Sequence, residues 1–197
     1  MPAPHHGDLP VQIQGLAKRL RFTALERHHK NRTVIAVYVL INSAISISLL
    51  SVIAMATGEP FVFPSLGPTA FVLFFAALST QSAPRNVFCG HLIGAVAGFT
   101  ALLIFGLQAV PADLEAVTTA RLGAIAFALA VTLSVMIWLG VPHAPAGATT
   151  LIVALGLLRT PSQLTILMAA VVILILQGAA INRLAGIPYP LWKPVSN

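Results

Sequence analysis

The sequence predicts an all-α fold: a polytopic membrane bundle of two pseudo-repeats, each a long helix, a broken helix and a second long helix. Three observations carry this. Hydrophobic residues make up 57% of the 197 and charged residues only 8%, against about 25% charged in a soluble domain, and mean hydropathy is +0.91. The few charges leave charge-free runs of 17 residues or more between Val34 and Leu184, long enough to reach across a hydrocarbon core of about 30 Å. Two proline–glycine interruptions recur at one offset, Gly67 with Gly147 and Thr69 with Thr149, 80 residues apart. This composition excludes a disordered chain, a secreted disulfide scaffold and an ordinary cytosolic enzyme. Cys89 is the only cysteine, so no internal disulfide can form.

Residues 1–33 read as a cytoplasmic arm. Lys18, Arg19, Arg21, Arg27, Lys30 and Arg32 precede the first apolar run. The positive-inside rule accounts for them and puts the N-terminus in the cytoplasm, so no nucleic-acid partner is expected. Residues 11–27 can form a helix with Ile13, Leu16 and Leu20 on one face, which is expected to be an interfacial helix drawn to anionic lipid. The apolar run comes too late for a signal peptide. His5-His6 and His28-His29, on a solvated arm, are not expected to hold a metal.

Six apolar segments follow, at about 34–57, 61–79, 87–110, 122–140, 144–158 and 163–183. They make a transmembrane domain over 34–184, with repeats at about 34–110 and 119–184, before a short cytoplasmic tail, 185–197. The first, third, fourth and sixth are apolar all round, as bundle or lipid-facing helices are. The second opens Phe63-Pro64-Ser65-Leu66-Gly67-Pro68-Thr69-Ala70, and the fifth Val141-Pro142-His143-Ala144-Pro145-Ala146-Gly147-Ala148-Thr149-Thr150. Proline donates no backbone hydrogen bond and blocks the helix upstream of it. Each segment is therefore expected to enter extended and turn helical only after its glycine, over about 68–80 and 148–158. At about 1.5 Å per residue neither helical remainder spans alone. The junctions Ser82-Ala83-Pro84-Arg85 and Arg159-Thr160-Pro161-Ser162 correspond loosely.

Three crossings per repeat give the inverted arrangement of many secondary transporters. If the broken segments are re-entrant, four helices cross and the repeats are parallel. Charge bias favours six crossings, with Arg85, Arg183 and Lys193 inside and Asp113 and Glu115 outside; Arg121 and Arg159 then fall outside, against the rule.

Irregular backbone at membrane depth survives only when buried in protein or lining a watery cavity. A helix starting there aims free N–H groups and the positive end of its dipole at that cavity, which attracts anions. Gly67 and Gly147 would let a ligand approach the backbone, while Ser65, Thr69, Thr149 and Thr150 add hydroxyls. The alternative is that the breaks only bend helices for packing. Arg85 opens a helix, where a cation opposes the dipole; it either attracts an anion or snorkels to the interface. His143 binds the solute, carries a proton or caps backbone. His91 either lines the site or packs. Asn42, Asn86, Gln177 and Asn182 are expected to bond between helices, and Gly90, Gly94 and Gly98 to mark a tight crossing. There is no P-loop, HExxH, CxxC or GxSxG, so no catalytic residue, metal or cofactor is expected. Acidic residues are missing from the spans, which disfavours ion coupling through buried carboxylates.

Taken together, the motif from Pro64 to Ala70, Pro84-Arg85-Asn86 with Gly90-His91, the run from His143 to Thr150, and the ending Ile181-Asn182-Arg183-Leu184-Ala185-Gly186-Ile187-Pro188-Tyr189-Pro190-Leu191-Trp192 resemble the HPP family of integral membrane proteins. The resemblance covers about residues 30–193. The family's His-Pro-Pro stands here as His143-Ala144-Pro145, and its Ser-Pro-Arg junction carries one extra residue, Ala83. The resemblance implies four spanning helices and, from members implicated in nitrite transport, a small-anion transporter. Several members carry cytoplasmic CBS domains, which this sequence lacks. The expected function is a transporter or channel for a small monovalent anion, nitrite leading. Its expected setting is a bacterial inner membrane, with both ends cytoplasmic; a pore formed by one chain and a symmetric homo-oligomer are both open to it. The rival expectation is a non-transporting scaffold or subunit with a dry, packed centre.

Overall fold

A computed structural model describes residues 31–194. The expected interfacial helix at 11–27 and the pairs His5-His6 and His28-His29 lie outside the described residues, as does the end of the tail. Among the described residues there are six α-helices and no strands: α1 Asn31–Thr57, α2 Leu66–Phe75, α3 Pro84–Ile104, α4 Thr119–Trp138, α5 Ala146–Ala154 and α6 Pro161–Leu184. A single 3₁₀ turn, Thr80–Ser82, joins α2 to α3. Four helices are long and apolar enough to cross a membrane: α1, α3, α4 and α6.

Local chemistry sets the ends. Pro84 and Pro161 open α3 and α6, where a missing N–H is harmless. Thr118 caps α4 by accepting from the Arg121 amide. Thr160 and Gln163 close a reciprocal capping box on α6. At the C-terminal ends, Gly140 and Gly156 take φ of +62° and +88°, which L side chains resist. Each lets the next amide reach back five residues, Val141 to the Met136 carbonyl and Leu157 to that of Ile152. The same cap at Gly106 ends α3 at Ile104, not at the expected residue 110.

The broken segments start helical earlier than expected. α2 and α5 begin at Leu66 and Ala146, one residue before each glycine. Pro68 lies in the first turn of α2, where its lack of a donor removes nothing, and Pro145 is the N-cap of α5. The helices have 10 and 9 residues, about 15 Å each, half a membrane.

Contacts fix the direction of each element. Arg85, at the start of α3, donates to Gly140 O at the end of α4, and the Arg85 amide donates to Trp192 O beyond α6. These termini therefore share one end of the bundle. Tyr38 on α1 bonds Asn182 near the end of α6, so α1 starts there too; Leu50, twelve residues on, is buried in the common core. At the opposite end Arg121, starting α4, holds Ala154 O at the close of α5, and Arg159 reaches Gln108 O beyond α3. α2 runs towards the first end, where Leu73 O accepts from Asn182. α5 runs away from it, parallel to α3: Gly90 packs on His143 and Ala146, Gly94 on Thr150, and Gly98 on Val153. Each short helix thus lies between chain points at opposite ends.

Candidate functional site

Where α2, α3 and α5 meet, the side chains are polar. Thr69 sits in the first turn of α2, His91 in the second turn of α3, His143 just before α5, Thr149 in the first turn of α5 and Thr150 directly after it; all five are fully buried. All but Thr150 join into one chain. His143 Nδ1 is 2.8 Å from Gln81 O, and His143 Nε2 is 3.3 Å from Thr69 Oγ1. Thr69 Oγ1 is 3.0 Å from His91 Nε2, and His91 Nδ1 is 2.7 Å from Thr149 Oγ1. Thr69 also donates to Ser65 O at 2.8 Å. The imidazoles lie tilted, ring centroids 5.0 Å apart. Thr150 donates to Thr132 on α4 or to Ala146 O, beside this chain. The chain spans both halves of the sequence.

Small residues make this meeting close. A Cβ on Gly94 would stand 2.7 Å from Thr150 Oγ1 and 2.8 Å from Ala146 O, and one on Gly90 2.8 Å from His143 Cβ. Only glycine lets the α3 and α5 backbones approach this far. The expected glycine stripe is thus the seam between the helices that carry His91 and Thr149.

The 80–82 turn positions His143. Gln81 gives its carbonyl to the imidazole and its side-chain oxygen to the Ala144 amide. Asn86 Nδ2 donates to Thr80 O at 2.8 Å. The buried Tyr189 hydroxyl donates to Ser82 O, and burial pushes this phenol above its ordinary range, so it stays a donor. The Ile-Pro-Tyr-Pro ending is therefore a strap under the turn that holds His143.

Other expected site residues lie elsewhere. Gly67 is exposed with nothing within 4 Å of a would-be Cβ, and Gly147 meets only Leu129; both stand apart from the polar chain. The first-turn amides of α5 do not stay free: Ala146, Gly147 and Ala148 turn back to the carbonyls of His143, Ala144 and Pro145. In α2 the Leu66 and Thr69 amides do likewise, and Pro68 has none. Hydroxyls and imidazoles replace them as the polar groups of the centre. Ser65, the N-cap of α2, is fully buried and its Oγ has no partner. Arg85 is half-buried at the rim, on Gly140 O at 2.8 Å and Asn86 Oδ1 at 3.1 Å. Its cation, unfavourable to its own helix, meets the negative end of α4.

Sequence reasoning missed Gln81, Tyr189 and Arg121 as structural partners. Arg121 is buried and donates to Ala154 O, Val110 O and Pro111 O. It lies so close over Gly156 that a Cβ there would be 2.9 Å from its Nη1. The signal was its breach of the positive-inside pattern: a cation at the wrong end had a reason to be there. Of the expected interhelical bonds, Asn182 makes two, to Tyr38 and Leu73 O, whereas Asn42 bonds only within α1.

Searches of curated proteins and of solved structures return no match. Residues 28–190 match the family described as HPP, transmembrane region. That span includes all six helices and both broken segments, and with it this chain belongs to the HPP transmembrane family.

Proposed function

We propose that the protein is a membrane transporter or channel for a small monovalent anion, with nitrite the leading candidate from the resemblance of its motifs. The observation that supports this most is the fully buried chain Thr149–His91–Thr69–His143, drawn from both halves where two broken segments turn helical. Polar side chains at membrane depth are costly and mark solute pathways. Ser65 Oγ, buried without a partner on the residue whose carbonyl accepts from Thr69, adds an unused donor at the positive end of α2. Among the described residues the acids are Glu59, Asp113 and Glu115, all exposed and all towards the other end. That balance favours an anion over a cation. The directions of α2 and α5 support an inverted pair of halves that approach the centre from opposite faces. Arg32, Arg85, Arg183 and Lys193 share one end, which the positive-inside rule makes cytoplasmic, in a bacterial inner membrane.

One observation favours the scaffold reading: the central side chains are fully buried and bond one another. Thiol accessibility separates the two. In a Cys89→Ala background, Ser65→Cys is expected to react with a water-soluble thiol reagent and to be slowed by nitrite. A folded, inserted Ser65→Cys that stays unmodified favours the scaffold.

A further inference from the structure

The central chain lacks one hydrogen. Five contacts join its members: His143 Nδ1 to Gln81 O, His143 Nε2 to Thr69 Oγ1, Thr69 Oγ1 to Ser65 O, Thr69 Oγ1 to His91 Nε2, and His91 Nδ1 to Thr149 Oγ1. Each needs a hydrogen between its two heavy atoms. Two neutral imidazoles and two hydroxyls supply four. Carbonyl oxygens only accept, so His143 carries its hydrogen on Nδ1 towards Gln81, and Thr69 turns its hydroxyl hydrogen to Ser65 O. Thr149 Oγ1 has no other partner among the described residues, so it donates to His91 Nδ1. His91 then donates from Nε2 to Thr69. The contact left without a hydrogen is His143 Nε2 to Thr69 Oγ1, at 3.3 Å the longest of the five.

We infer that His143 Nε2 is a proton-binding site and that the proton is taken up together with the anion, which makes the protein a proton–anion symporter. This rests on the anion-transport reading above. The step is the addition of one proton from water to the Nε2 lone pair, giving an imidazolium that donates to Thr69; release reverses it. With that proton all five contacts are satisfied.

Charge explains why the two ions travel together. A lone cation or a lone anion at this depth is strongly disfavoured. The groups that face His143 carry no negative charge to balance it. From α3 they are His91 and, at the rim, the Arg85 guanidinium on Gly140 O. From α2 they are Thr69 and Ser65, and from α4 Met136 lies nearby, beside Gly90. From the 80–82 turn come Gln81 and, behind Ser82, the neutral Tyr189 phenol. An anion bound beside the imidazolium supplies the missing charge, and the pair is neutral as a unit.

The test is calorimetric titration of the purified full chain with sodium nitrite, in buffers of different ionisation enthalpy. The expected result is uptake of one proton per nitrite bound, with affinity rising by up to about tenfold for each unit that pH falls while His143 is unprotonated. His143→Gln is expected to bind without proton uptake. If that variant does not fold, the proton count of the wild type decides. Nitrite binding with no proton uptake overturns the symport inference and leaves the transport reading standing. Proton uptake that persists in folded His143→Gln overturns the assignment to His143. No nitrite binding at all removes the transport reading, and this inference with it.

Discussion

Arg121 and Arg85 solve one problem at opposite ends of the bundle. Each lies in the first turn of its own helix, where a cation is unfavourable, and each donates to carbonyls that close a neighbouring helix. Arg121 answers three carbonyls with one planar fork. Arg121→Lys keeps the charge but not the fork, and is expected to lose about 1–2 kcal/mol of stability. Thermal unfolding in detergent reads this; a variant as stable as wild type contradicts it. The sequence showed His91 and His143 as the only histidines among the apolar segments, yet not that one threonine joins them. Thr69 and His143 are 74 residues apart, and a single chain carries no record of such a pairing. Gly67 misled for a related reason: a glycine beside prolines promises close approach, but which face it occupies depends on where the helix starts, and it starts one residue sooner.

The elements were more legible than their side-chain partners. Proline and glycine act locally, so the breaks at Leu66 and Ala146 and the starts at Pro84 and Pro161 can be read within a few residues. The end of α3 comes earlier than hydropathy implies, because the apolar run continues past Gly106 while the helical backbone does not. The Gly90, Gly94 and Gly98 stripe announced a tight crossing, though not that its partner is the short α5. A Gly94→Ala Cβ would meet the Ala146 carbonyl at 2.8 Å, and backbone cannot swing aside as a side chain does. Gly94→Ala is therefore expected to destabilise by about 1–3 kcal/mol. Gly67→Ala, with open space around it, is expected to change stability by under about 0.5 kcal/mol. Paired unfolding measurements check both; equal effects would mean that α3 and α5 do not pack this closely.

At the scale of the whole molecule, hydropathy alone leaves four crossings and six equally open, because α2 and α5 are each too short to count as spans. Long-range contacts give each short helix a direction within the bundle: Leu73 with Asn182 sends α2 to one end, and Ala154 with Arg121 sends α5 to the other. The strap from Tyr189 to Ser82 and the bond from the Arg85 amide to Trp192 tie the tail to the turn under His143, so the chain after α6 supports the centre. Folding thus brings two half-length helices, two histidines and three threonines into one buried place. On the proposed function, this place passes an anion. This is tested most directly by flux into liposomes carrying the purified protein, across nitrite, nitrate, formate, chloride and a neutral solute, with protein-free liposomes as control. Selective, saturable entry of one small anion, nitrite first, is the expected result, lost when Thr149 is replaced by Phe. No protein-dependent flux of any of these solutes, from protein verified as folded and inserted, would contradict it.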